Sequence, residues 1–266
     1  MISKTEAATY THGHHASVLR SHAWRTAQNS AAFLLPYLQP HMKILDLGCG
    51  PGTITVDLAT YVPEGHVTGL ERVGDVLAKG RALAAERGVT NVEFVEGDGN
   101  GLTYADGTFD VVFAHQVLQH VADPVGMLRE MKRVVKTGGI VAARDADYGS
   151  FAWFPELPGL RAWMDLYQKV GRYNGAEPNA GRMMHSWARQ AGLPKYKSSV
   201  TSGCEVVGET WQERALKSSF ATTALEGELA GVEDLERISK TWKEWQEDVD
   251  AWITIPSSEI VCIKEH

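Results

Sequence analysis

Cysteine is scarce. The 266-residue chain holds three, Cys49, Cys204 and Cys262, far apart and without a Cys-x-x-Cys pair. Neither a disulfide framework nor a metal site follows from such spacing. Positive charge is also short: 26 Lys and Arg stand against 33 Asp and Glu, a net charge of −7. No Lys/Arg block is visible, which argues against a nucleic-acid substrate, since that calls for a basic face. No apolar run approaches the roughly 20 residues that cross a bilayer, and no secretory hydrophobic region opens the chain. A cytoplasmic protein without stable membrane insertion is expected, monomer or homodimer. Internal repeats and low-complexity segments are missing as well. Apolar content of 44% and charged content of 22% are ordinary for a globular protein, and the length suffices for a full core as one large domain.

What is present concentrates in Ile44-Leu45-Asp46-Leu47-Gly48-Cys49-Gly50-Pro51-Gly52-Thr53. It reads as a short apolar strand, a glycine-rich turn and the start of a helix. Gly48, Gly50 and Gly52 lack a Cβ, so the backbone can turn sharply and lie close to a ligand. Asp46 falls at the strand's carboxyl end, where open α/β sheets bind ligands. A helix N-terminus there offers N–H groups to something polar or anionic. A dinucleotide fingerprint would need glycine at position 53, where Thr53 stands, and a P-loop would need Gly-Lys-Ser/Thr. Neither is met. A tight strand–helix turn with no ligand is the plain alternative.

A second strand, His66 to Glu71, ends in a carboxylate about 20 residues beyond the glycines, the offset at which nucleoside-binding folds place an acid on ribose hydroxyls. By itself Glu71 would read as a surface acid; in this register ribose binding is the preferred reading. Asn91 to Asp98 gives a third strand ending in Gly97-Asp98. Phe109 to Phe113 gives a fourth, leading into Ala114-His115-Gln116-Val117-Leu118-Gln119-His120. A helix from Pro124 to about Val135, a turn through Gly138 and Gly139, and a fifth strand from Ile140 to Ala143 complete the run.

From residue 43 to 148 this order resembles the class I S-adenosylmethionine (SAM)-dependent methyltransferases, most of all the ubiquinone/menaquinone-biosynthesis-like group that acts on small molecules. The resemblance implies an α/β fold, a Rossmann-like, seven-stranded, mostly parallel sheet with helices on both faces and a reversed last strand. It implies SAM as cofactor and a small-molecule methyl acceptor. It places Asp98 near the adenine amino group. It implies a cofactor set of Asp46, Gly48, Cys49, Gly50, Gly52, Thr53, Glu71, Arg72, Asp98, Gly99, His115 and Gln116; outside the resemblance, Tyr10 and Arg25 are expected to reach the cofactor's carboxylate from the N-terminal segment, Arg25 through its fork. A nicotinamide-dependent oxidoreductase on a similar fold and a non-catalytic SAM binder are the other classes weighed. Thr53 and the Gly-Asp after strand three weigh against the first.

The remaining chain reads as additions. Segment 1–40 is expected to be an N-terminal lid and helix, 41–148 the SAM-binding core, and 149–266 the rest of the sheet with a helical cap. Leu19, Ala23, Ala27, Ala31, Leu34 and Leu38 recur at helical spacing over 16–39. Two helices are expected over 156–192, broken near Asn174-Gly175 and Pro178. A sixth strand is expected over 196–208, helix again over 209–249, with Leu235, Ile238, Trp242 and Trp245 on one face, and a last strand over 258–264. The N-terminal His12, His14 and His15 read as a flexible polar segment, a metal site without a carboxylate partner, or a lid over the cofactor and acceptor; the lid is favoured and a metal is not expected.

Candidates for acid–base work follow strands four and five: His115, His120, Asp145 and Asp147. Each has a plainer role. His120 holds its loop by a backbone hydrogen bond, His115 touches the cofactor through its backbone, and the two aspartates pair with Arg144 or another cation. For the acceptor, His14, His15, His120, Tyr148, Phe151, Trp153 and His185 are the expected contacts. Seven of the eight tryptophans lie in the C-terminal half. Most are expected in core and cap, while Phe151, Trp153 and Phe154 suit a flat, moderately hydrophobic acceptor. Histidines around the site predict activity that changes between about pH 6 and 8.

Overall fold

The computed structural model describes residues 25–203 and 208–265. β1 (Lys43–Leu47), β2 (His66–Glu71), β3 (Val92–Glu96) and β4 (Phe109–His115) are short, largely apolar runs. Past its first residue β1 is buried throughout, and β4 almost so. That pattern belongs to parallel strands covered on both faces. β1 lies between β2 and β4, parallel to both, and β5 (Val135–Ala146) continues parallel beyond β4. β8 (Trp252–Ile263) runs antiparallel to β5 and carries β6 (Ala152–Phe154) and β7 (Tyr196–Gly203) on its other edge. The eight-stranded order is β3-β2-β1-β4-β5-β8 with β6 and β7 on β8. Chain direction across the sheet reverses between β1 and β4, which opens a crevice at their carboxyl ends.

Alternation along each strand sends its side chains to two different cores. Leu45, Leu47, Val112, Ala114, Val141 and Ala143 meet α4 (Pro124–Val134) and α6 (Ala180–Gln190) through Leu128, Met131, Met184 and Trp187. Ile44, Val111, Phe113 and Ala142 meet α2 (Thr53–Tyr61) through Leu58 and Ala59, and also Ala27, Ala31 and Leu34. At the sheet's β2–β3 edge, α3 (Gly74–Glu86) packs Leu77 and Ala84 on Phe94. α4 starts where its residues dictate. Pro124 needs no N–H donor at the first position, and the Asp123 carboxylate accepts from Gly126 N at 2.8 Å.

A third, aromatic-rich core joins α5 (Pro158–Tyr173), α8 (Ser219–Glu226) and α9 (Val232–Glu247) around Trp163, Tyr167, Phe220, Trp242 and Trp245. α7 (Gly208–Lys217) packs beside α9. The expected face of Leu235, Ile238, Trp242 and Trp245 is the buried one. The break between α5 and α6 falls at Asn174-Gly175, where Gly175 takes φ 76°.

Three expectations are corrected. Helix over 16–39 reduces, within the described residues, to α1 (Ala27–Ser30) and a 3-10 turn at Leu35–Tyr37. Thr26 caps the start, its Oγ1 accepting from Asn29 N at 3.2 Å, and Pro36 disfavours an α-helical Leu35. The last strand begins at Trp252 rather than 258. β6 was not expected at all, and its three residues are too few to show a period.

Candidate active site

The glycine turn is tied to β2. Gly48 N and Cys49 N both donate to Leu70 O, at 2.7 and 3.1 Å. Gly48, Gly50 and Gly52 take φ of 71°, 53° and 79°, the left-handed region that glycine enters without penalty. Their surroundings differ. A Cβ on Gly48 would stand 2.6 Å from Val117 Cγ2, and one on Gly52 2.5 Å from the Phe94 ring. At Gly50 a Cβ would meet nothing within 4 Å. Two of these glycines are set by packing, and the middle one faces open space. Thr53 begins α2, with Gly52 as its N-cap.

Three carboxylates line the ends of β1, β2 and β3. Asp46 is buried, and Thr55 Oγ1 on the first turn of α2 donates to its Oδ2 at 2.7 Å. Burial pushes its carboxyl up to about 7, with Thr55 opposing and the Glu71 charge adding. Burial likewise pushes the Cys49 thiol well up, so this half-buried cysteine is no nucleophile. Glu71 spans the crevice floor: Oε2 accepts from Gly50 N at 3.0 Å, Oε1 from Arg72 N at 2.8 Å and Val73 N at 3.3 Å. Arg72 contributes its backbone there and exposes its side chain. Asp98 is exposed, and its Oδ1 accepts from Asn100 N and Nδ2 at 2.9 and 2.8 Å. Gly99 is tight, since a Cβ would lie 3.1 Å from Leu47 Cδ2 and Met127 Cε.

After β4 the backbone is strained. Gln116 has φ 58°, rare for a residue with a Cβ. Its N donates to Arg144 O at 2.7 Å, and its Oε1 accepts from Ala146 N and from Gln119 Nε2. His120 N donates to Val117 O at 2.9 Å. His115 ends β4, and its Nε2 lies 3.0 Å from Arg144 Nη1. Burial, then the Arg25 and Arg144 charges, hold His115 well below the usual histidine range. Burial and Arg25 push His120 down to about 3. Both shifts disfavour the charged ring and run against the expected titration of these two histidines between about pH 6 and 8. Arg25 itself is half-buried and forms no hydrogen bond or ion pair among the described residues.

The aspartates after β5 are committed elsewhere. Asp145 is wholly buried, and its oxygens accept from Leu118 N at 3.3 Å and Gln119 N at 3.1 Å. Burial pushes it up to about 7. Asp147 is gripped by Arg182 of α6 through Nε at 2.7 Å and Nη2 at 2.6 Å, a fork geometry that occupies both oxygens. The plainer reading holds for Asp147, with Arg182 as the cation; for Asp145 the partners are amides of the 118–119 loop. Among the described residues both carboxylates are engaged by protein donors. His185 lies on the exposed face of α6, whose neighbours Met184 and Trp187 point inward. Tyr148 is buried in a stack between Phe151 and Tyr167, with centroids 4.6 and 4.1 Å apart. Phe151 and Trp153 are half-buried, and Arg161 covers the Trp153 ring at 6.0 Å. Tyr10, His14 and His15 lie outside the described residues.

Sequence reading missed Gln119, Arg182 and Glu259. Arg182 and Glu259 pair with residues distant in the chain, and Gln119 bonds both the nearby Gln116 and the distant Asp145; no local spacing signals these roles.

Comparison with known proteins agrees with this geometry. A family model described as a methyltransferase domain matches residues 38–247. An uncharacterized methyltransferase of Schizosaccharomyces pombe is 33% identical over 282 residues, covering all of both chains. The YcgJ protein of Bacillus subtilis superposes with TM-score 0.63 at 18% identity, over 90% of this chain and 99% of its own. Phosphoethanolamine N-methyltransferase 2 of Haemonchus contortus, solved with S-adenosylhomocysteine, gives 0.58 at 16%, over 90% of this chain and 53% of its own. On the extent of the family match and the full-length relative, the chain belongs to the class I SAM-dependent methyltransferase family.

Proposed function

We propose that the chain transfers the methyl group of SAM to a small, moderately hydrophobic acceptor by in-line displacement. The observation that carries the reading is the pairing of open space at Gly50 with the Glu71 carboxylate beneath it. A cofactor of nucleoside shape fits there. Glu71 accepts from ribose hydroxyls, which a carboxylate serves two at a time. Asp98 takes the adenine amino group, Asp46 fixes the turn through Thr55, and Arg25 meets the cofactor's carboxylate. In this reading residues 41–148 form the cofactor unit and 149–266 complete the sheet and cap. The enzyme works in the cytoplasm, on a small molecule.

SAM, when bound, supplies an activated methyl on a sulfonium, so the protein has chiefly to position and desolvate. Tyr148, Phe151 and Trp153 form the apolar wall for the acceptor. Asp145 and Asp147 hold the loop after β4 and α6 in place instead of moving protons. The acceptor therefore attacks through its own electron pair, S-adenosylhomocysteine is the leaving group, and the proton of a hydroxyl or thiol acceptor passes to solvent.

The test is S-adenosylhomocysteine formation from SAM across phenolic, thiol, sterol and small polar amine acceptors. Turnover on a flat or apolar acceptor is expected. Turnover confined to very polar ones contradicts the acceptor class, and none on any would favour a binder without catalysis.

A further inference from the structure

Four side chains cross the sheet in one row at its ligand end. His115 on β4 stands opposite Arg144 on β5, Arg144 opposite Glu259 on β8, and Glu259 opposite Ser199 on β7. Residues opposite one another share a face and touch. Here they are linked in sequence. Arg144 Nη1 lies 3.0 Å from His115 Nε2, and Arg144 Nε lies 3.3 Å from Glu259 Oε1. Ser199 and Thr201 hydroxyls each donate to Glu259 at 2.6 Å. The ion pair is deeply buried, with side-chain exposures of 11% for Arg144 and 5% for Glu259. Such a pair adds little stability over apolar side chains of the same volume, so its presence beside the site points to a different duty.

The duty follows from donor counting. A guanidinium has donors and no acceptor. His115 Nε2 must therefore offer its lone pair to Arg144, which leaves the ring proton on Nδ1. Glu259 fixes the Arg144 fork, and the two hydroxyls of β7 fix Glu259. His115 Nδ1 makes no hydrogen bond among the described residues.

We propose that Arg144 and Glu259 are positioning residues that hold His115 as the neutral Nδ1–H tautomer, so that His115 presents the site with a hydrogen-bond donor and never a base. What the donor meets, an oxygen of the bound ligand, rests on the methyl-transfer reading. The tautomer itself does not.

The experiment is long-range 1H–15N correlation on the full chain with 15N-labelled histidine, the His115 signals being those lost in His115→Gln. The groups around this ring are the Arg25 and Arg144 cations, the Glu259 carboxylate and the Phe113 ring. Wild type is expected to show a protonated Nδ1 and an unprotonated Nε2, unchanged from about pH 5.5 to 8. Arg144→Met, which removes the donor, is expected to release the ring to the Nε2–H tautomer or a titrating mixture, and Arg144→Lys to restore the Nδ1–H form. Addition of S-adenosylhomocysteine is expected to shift the Nδ1 proton if a cofactor oxygen is the partner, and addition of a methyl acceptor if that ligand's oxygen is. An Nε2–H or doubly protonated His115 in wild type overturns the proposal, as does an unchanged ring in Arg144→Met. Should that variant not fold, the wild-type spectrum alone decides the tautomer. A wrong tautomer in protein that binds S-adenosylhomocysteine defeats this inference only; the right tautomer without such binding defeats the methyl-transfer reading instead.

Discussion

Gly50 and Gly52 stand two residues apart and answer to different demands. Gly52→Ala forces a methyl to within 2.5 Å of the Phe94 ring, an overpacking that costs roughly 1–3 kcal/mol. Its expected readout is a lowered denaturation midpoint. Gly50→Ala meets nothing within 4 Å among the described residues, so it costs the fold only the left-handed backbone penalty, about 1 kcal/mol. Its methyl enters the space assigned to the cofactor. A tenfold or larger loss of SAM affinity by titration, about 1.4 kcal/mol, is expected with a near-normal melting curve. An affinity equal to wild type would contradict the placement. Asp46 and Glu71 were legible because their distance from the glycines is set by the strand–turn–helix unit itself. Asp145 and Asp147 were legible as residues and not as roles. Nothing local says that Arg182 or the 118–119 amides will claim them.

Elements were legible where periodicity and caps agreed. β1 and β4 are unbroken apolar runs because both their faces are covered. α4 begins after Asp123 because that side chain replaces a missing acceptor. Asp123→Ala is expected to cost about 1 kcal/mol and to shift the denaturant midpoint without changing SAM affinity; an unchanged midpoint would mean the cap is idle. β8 begins six residues before the expected start, and Pro256 lies inside it. Proline lacks the ladder donor and demotes a strand by rule. Here its carbonyl still accepts from Asp147 N at 2.9 Å. The helix over 16–39 had good spacing in Ala27, Ala31 and Leu34, and these three are buried. Spacing described which residues face inward, while Thr26 and Pro36 decided that one helix would not carry them.

At the scale of the molecule, burial sets the response to pH. Asp46 and Asp145 are raised to about 7 in the fold against a usual value of about 4. Between those values the folded chain binds more protons than the unfolded one, so their contribution to stability falls as pH rises. His115 and His120 work the other way. Their folded values are depressed, so the unfolded chain gains protons first and stability is lost as pH falls below about 6.5. Asp145→Asn removes one carboxyl from this balance. It is expected to be destabilised at every pH because an amide satisfies fewer loop N–H groups. The gap from wild type is expected to narrow as pH rises from about 4.5 to 7.5, read by denaturant melts. A gap that widens over that range would contradict the raised carboxyl.

Cofactor recognition links these scales, since the turn, the β2 acid and the crevice at the reversal of strand order must act together. Isothermal titration of SAM, S-adenosylhomocysteine and NAD tests it most directly. Binding of the first two at roughly micromolar Kd, lost in Glu71→Ala, and no heat from NAD is the predicted result. A wild-type protein that binds neither, or that binds NAD in their place, would contradict the account.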